Sequence, residues 1–147
     1  MRNEEWRIQL RDASTPHGKF FILHSSFFIS IKKVKIIIAG AGAVGTHLAK
    51  LLSREKQDII LMDDNEEKLS TLNSNFDLMT ATASPTSIKG LKEVGVREAD
   101  LFIAVTPDES RNMTACMLAN NLGAQKTVAR IDNYEYLLPK NKEFFQK

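Results

Sequence analysis

From Val34 onward the chain alternates short, unbroken apolar runs with stretches in which apolar residues return every three or four positions. That rhythm is the sign of repeated βαβ units around a parallel sheet. The first run, residues 34–39, is rich in β-branched side chains with no polar alternation, as a strand covered on both faces by helices requires. Further strands are predicted at 58–62, 78–82, 101–105 and 127–131. Between them, Val44, Leu48, Leu51 and Leu52 fall on one face of a first helix. Asp64 reads as the N-cap of a short second helix, with Glu67 as its reciprocal carboxylate and Leu69 and Leu72 on its inner face. Ile88, Leu91 and Val94 mark a third helix, with Gly95 where a left-handed cap is wanted. A longer helix runs from about residue 109 to 122 and is stopped by Gly123, and residues 134–138 allow one more turn before Pro139. The expected fold is α/β, a Rossmann-type doubly wound parallel sheet of about five to six strands with helices on both faces.

The chemistry sits where the first strand ends. Gly40-Ala41-Gly42-Ala43-Val44-Gly45 is a G-x-G-x-x-G that opens a helix. Gly40 permits the sharp turn out of the strand, Gly42 lets a diphosphate approach the backbone, and Gly45 allows close contact between helix and sheet. The amides of Ala43 and Val44 at the helix start, with the positive end of its dipole, then offer an anion site that needs no lysine or arginine. Such a glycine pattern is weak alone, but here strand, glycines and helix come in the required order. The second strand also ends at Asp63, eighteen residues beyond Gly45. A carboxylate there can accept hydrogen bonds from adenosine ribose hydroxyls, and its charge repels a 2′-phosphate. With Asp64 next and no arginine nearby in sequence, NAD or NADH is expected over the phosphorylated cofactor, and ATP or ADP could share the ribose contact. The alternative is that Asp63 only ends a strand and caps the next helix.

Thr106, at the end of the fourth strand, lies across the switch point from the glycine loop, where open α/β sheets bind ligands. It reads equally well as the end of a strand entering a turn made by Pro107 and Asp108. No nucleophile and base pair is visible. His47 stands on the first helix without acidic partners at metal-ligand spacing, and Cys116, among Met113, Met117 and Ala119, reads as a small core residue. The domain is therefore expected to bind without catalysing.

Composition narrows the classes further. At 147 residues, 43% hydrophobic and 26% charged, there is room for one soluble domain with a core. One cysteine excludes an internal disulfide framework and fits a reducing compartment. The net charge of +2 is uneven: residues 1–33 hold six Lys/Arg against three Asp/Glu, and the remainder holds fourteen against fifteen. Without a basic stripe, nucleic acid is not an expected partner. The apolar stretch 20–31 is interrupted by His24, Ser25, Ser26 and Ser30 and falls short of the roughly 20 residues that span a bilayer. Glu4, Glu5 and Asp12 spoil a signal peptide. The expected organisation is a poorly ordered extension at 1–33, a nucleotide-binding domain at 34–138, and a truncated tail at 139–147.

One family shares more than the glycines. Residues 34–130 resemble the TrkA N-terminal domain, the RCK or KTN domain that regulates potassium transport. The likeness rests on the glycine motif, Asp63, the run Glu98-Ala99-Asp100-Leu101-Phe102-Ile103-Ala104-Val105-Thr106, then Asp108, Glu109 and Asn112-Met113, and the fifth-strand segment Thr127-Val128-Ala129-Arg130-Ile131. The resemblance implies that Gly40, Gly42 and Gly45 cradle a diphosphate, that Asp63 holds the ribose, and that Thr106 and Asn112 line the cleft. Arg130 is a further candidate, for phosphate or for pairing with Asp132 or Glu135, and the alternative for Asn112 is a solvated helix position. Where the family has Gly-Asp after its third strand this chain has Ala83-Ser84, which removes an acidic contact expected near the adenine. The resemblance also implies a homo-oligomer of RCK domains on the cytoplasmic face of a membrane potassium-translocating subunit. The rival is the cofactor-binding half of an NAD-dependent dehydrogenase, which shares the same residues and differs by a substrate domain.

Overall fold

The computed structural model of the chain describes residues 33–70, 72, 76 and 78–144. The extension expected at 1–33 and its apolar stretch lie outside the described residues, apart from Lys33. Five parallel strands form one sheet: β1 (Lys35–Ala39), β2 (Asp58–Asp63), β3 (Met79–Thr82), β4 (Leu101–Ala104) and β5 (Thr127–Ala129), in the spatial order β3-β2-β1-β4-β5. The order reverses between β1 and β4, so a crevice opens at their carboxyl ends. The helices are α1 (Ala43–Ser53), α2 (Glu66–Ser70), α3 (Ile88–Glu93), α4 (Glu109–Leu122) and α5 (Tyr134–Leu137), with 3-10 turns at Val96–Glu98 and Pro139–Phe144.

Successive residues of a strand point to opposite faces, so β1 feeds two cores. Ile36 and Ile38 join Ile59, Leu61 and Ile103 beneath Ala49 of α1 and Leu69 of α2. Ile37 and Ala39 join Ile60, Met62, Phe102 and Ala104 beneath Leu91 of α3 and Ala115, Cys116 and Ala119 of α4. This double burial explains why the strands carry no polar alternation.

The helix stops fall where expected: Gly95 and Gly123 have φ of 68° and 112°, in the left-handed region that a side chain disfavours. Two expectations are corrected. Helix α1 does not bury Val44 and Leu51, which are 50% and 46% exposed. Its sheet-facing stripe is Gly45, Ala49 and Ser53, flanked by Leu48 and Leu52, because small residues let the helix axis approach the strands. Nor is Asp64 the cap of α2. Asn65 is: its Oδ1 accepts from the Glu67 and Lys68 amides at 2.9 and 3.4 Å, which frees Asp64 for a partner across the crevice.

Candidate functional site

The turn out of β1 is fixed by what surrounds it. Gly40 has φ of 112°, and a Cβ there would stand 3.0 Å from the Thr106 amide nitrogen. At Gly45 a Cβ would come within 1.8 Å of the Gly40 carbonyl oxygen, so α1 can begin this close to the loop only without a side chain. Gly42 differs from both. It is the N-cap of α1, with φ −77° and ψ −173°, and a Cβ built on it meets nothing within 4 Å. No neighbouring atom in the fold forbids a side chain there. No side chain caps α1 and no acidic residue stands in its first turn. The amides of Ala43, Val44 and Gly45 therefore have no intrahelical acceptor, and the positive end of the helix dipole faces outward.

Asp63 is 6% exposed and ends β2 beside that loop. One carboxylate oxygen accepts from the Ala41 amide at 2.7 Å and the other from the Asn65 amide at 2.9 Å. Lys68 lies 3.7 Å away. The carboxylate thus braces the glycine loop from the neighbouring strand, and each oxygen retains a lone pair for a further donor. A hollow of about 740 Å³ next to the loop is lined by Gly42, Ala43, Thr46, His47, Lys50 and Lys68. The lysines there are contributions that local sequence patterns did not flag. Another hollow, of about 650 Å³, touches Lys35, Asp58, Met79 and Gly95 at the amino ends of the strands, opposite the end where such sheets bind ligands.

Across the switch point, Thr106 and Asn112 form one buried unit, 6% and 1% exposed. Asn112 Oδ1 accepts from the Thr106 amide at 2.9 Å and from its hydroxyl at 2.7 Å. Asn112 Nδ2 donates to the Thr106 and Arg130 carbonyls at 2.9 and 3.0 Å. Asn112 is thus no solvated helix position. Its amide ties the ends of β4 and β5 to α4 and has its hydrogens committed. Arg130 faces Asp132, Nη2 to Oδ2 at 3.0 Å, with the arginine side chain 41% exposed. Glu109 Oε2 accepts from the Asp132 and Asn133 amides at 3.1 and 2.9 Å, pinning the segment after β5 to the start of α4.

No arginine is near the two aspartates in sequence, but the fold brings one to Asp64. Arg111, in the first turn of α4, donates from Nη2 to Asp64 and, at 3.2 Å, to Ser84 Oγ. The guanidinium holds the Asp64 carboxyl below its ordinary value of 3.8. Forty-seven residues separate the pair, and only the folding of α4 against the opposite face of the sheet brings them together. Cys116 is buried as expected, and loss of solvent pushes its thiol up to about 11. Among the described residues no cluster of His, Cys, Asp and Glu could hold a metal ion, and no helix is long and apolar enough to cross a membrane.

A parallel sheet in this order, with a glycine turn opening a helix at the point of reversal, defines the Rossmann-type class of nucleotide-binding fold. Within that class the TrkA-N domain family matches residues 36–145, and the chain belongs to it. It is 46% identical over 112 residues to the Trk system potassium uptake protein TrkA of Haemophilus influenzae, a match covering 76% of this chain and 24% of the relative. It is 39% identical to that of Vibrio alginolyticus over the same shares. The chain thus spans about a quarter of the length of these relatives. Among solved structures, the NAD(P)-binding domain of an exopolyphosphatase-related protein from Archaeoglobus fulgidus superposes with a TM-score of 0.62 at 19% identity, covering 77% of this chain and 80% of that one. The GsuK channel bound to NAD does so at 0.60 and 18%, covering 76% and 21%. These structural likenesses establish the fold.

Proposed function

We propose that this domain binds NAD or NADH across the carboxyl ends of β1, β2 and β4, as the nucleotide-sensing part of a Trk-type potassium uptake regulator. In this reading Gly40, Gly42, Ala43, Val44 and Gly45 receive the diphosphate on backbone amides, and Asp63 accepts from the adenosine ribose. Thr106 lines the opposite wall, held by Asn112, and Arg130 stands at the far rim. The observation that carries the reading is the open space over Gly42 beside the buried Asp63 carboxylate. No neighbour in the fold forbids a side chain there, so the space over the loop is left for what approaches it.

The action needs no covalent step. A nucleotide that binds one arrangement of paired domains better than another shifts their populations by its differential affinity, and that bias passes to a membrane potassium-translocating subunit docked on the cytoplasmic face. Homo-oligomers of such domains on the inner face of the membrane supply the arrangements to be chosen between. The test is calorimetric titration of the chain with NADH, NAD, NADPH and ATP. Binding of NADH or NAD ahead of NADPH is the expected result, and no binding of any of the four sinks the reading. Turnover of NAD with simple alcohols or hydroxy acids, or of NADH with their carbonyl counterparts, would instead support a dehydrogenase half.

A further inference from the structure

We propose that Arg111 is the base-stacking residue of the nucleotide site, a guanidinium held flat by Asp64 and Ser84 to carry the adenine ring. The inference rests on the nucleotide reading above and extends it to a residue that the glycine motif does not reach.

The placement follows from register. Asp63 pairs with Thr82 as the last step of the β2–β3 ladder, so Asp64 and Ser84 stand just past the carboxyl ends of those strands. The Ala41 amide on Asp63 fixes the glycine loop on the near side of β2. A dinucleotide with its diphosphate on that loop and its ribose at Asp63 must project its base onward toward β3. There it meets the side chain that reaches over from α4.

The chemistry of that side chain suits a base. Nη2 spends its two hydrogens on Asp64 and Ser84, and hydrogen bonds of a guanidinium lie in its plane. Both π faces are left unused by these in-plane bonds, and the side chain is 29% exposed. A planar cation anchored at two points loses little freedom when a ring settles on it. Ser84 cannot give the adenine the carboxylate contact that an aspartate after β3 would. Stacking supplies a different source of grip, indifferent to the pattern of donors on the base.

The experiment compares the full chain with Arg111→Ala and Arg111→Lys by calorimetric titration with NADH and with AMP, alongside thermal melting. Stacking predicts that Arg111→Ala weakens both ligands roughly ten-fold, within the range found for loss of a stacking partner. Arg111→Lys should be as weak as Arg111→Ala, because it keeps the charge and loses the plane. Near wild-type binding by Arg111→Lys would assign the effect to charge and overturn the proposal. Unchanged or tighter binding by Arg111→Ala would overturn it too, the latter making the ion pair an obstacle to entry. In both cases wild-type NADH binding leaves the nucleotide reading standing. If the wild-type chain binds neither NADH nor AMP, the nucleotide reading itself fails and takes the role of Arg111 with it.

Discussion

Replacing Gly42 with alanine separates the needs of the ligand from those of the fold. The added methyl meets no atom within 4 Å, and the backbone at φ −77° and ψ −173° suits any L-residue. A glycine-to-alanine change at a compatible position gains about 0.4–1 kcal/mol by restricting the unfolded chain. Alanine is a poorer N-cap than glycine by a comparable few tenths to 1 kcal/mol or so. The two nearly cancel, so stability in urea should move by less than about 1 kcal/mol. Binding should not be spared. A diphosphate pushed off the loop by one methyl loses a hydrogen bond to a charged group worth about 1.5–3 kcal/mol, which is about 10- to 150-fold in affinity. Gly45→Ala is the opposing control, because its Cβ would lie 1.8 Å from the Gly40 carbonyl. It should cost stability at or beyond the top of the roughly 1–3 kcal/mol range for overfilled sites. Calorimetric titration with NADH and urea unfolding measure the two effects side by side. If Gly42→Ala binds NADH as the wild type does, the ligand does not cross that loop and the reasoning is wrong.

Asp63→Ala should lower both quantities, because the Ala41 and Asn65 amides lose their acceptor while the ligand loses its ribose partner. The expected losses are about 1–3 kcal/mol in unfolding free energy and about 1.5–3 kcal/mol in NADH affinity, read by urea titration and calorimetry. Asp64, held below its ordinary 3.8 by Arg111, gives stability that is present above that pH and lost as the pH falls through its folded value. Melting temperature followed from about pH 5 down to about pH 2 should therefore fall less steeply in Asp64→Asn than in the wild type, and equal slopes would contradict the pairing. Cys116, raised from 9.0 to about 11, should hold roughly a hundredth of the thiolate of a free cysteine at neutral pH. Slow reaction with a disulfide reagent that becomes fast in urea is the expected result, and fast labelling of the folded chain would refute the burial.

The parts of this fold that local chemistry determines are legible in the sequence. Five apolar runs became five parallel strands, with boundaries shifted by one or two residues. Gly95 and Gly123 end their helices because few other residues accept those dihedrals. Periodicity failed where it could not weigh size. It counted Val44 and Leu51 as core, whereas the surface of α1 that meets the sheet is small, and small residues add little to an apolar count. The alternative reading of Asn112 as a solvated helix position fails for a related reason. A buried amide is costly unless every donor finds an acceptor, and one acceptor here, the Arg130 carbonyl past the end of β5, lies eighteen residues along the chain. Arg111 was missed because its partner is distant in sequence and adjacent only through the strand order.

The two sides of the crevice are held by bonds of different quality, and that difference bears on where a ligand can act. On the β4–β5 side, Asn112 and Thr106 are locked by buried hydrogen bonds, and Glu109 pins the following segment. Loosening the Asn112–Thr106 bonds would strand buried polar groups, a penalty of about 1–3 kcal/mol each. On the β2–β3 side, the crossing contact is the Arg111–Asp64 pair, in which the aspartate side chain is 49% exposed. Water can replace each partner there, and exposed ion pairs contribute little to stability. A ligand shifts an equilibrium only by its differential affinity for the two states, so modest binding energy moves the elements whose rearrangement costs least. By that reasoning the β4–β5 wall and α4, which carries Arg111, act as the fixed frame, and under the proposed nucleotide role the β2–β3 edge bearing Asp64 and Ser84 is the part that a bound ligand would move.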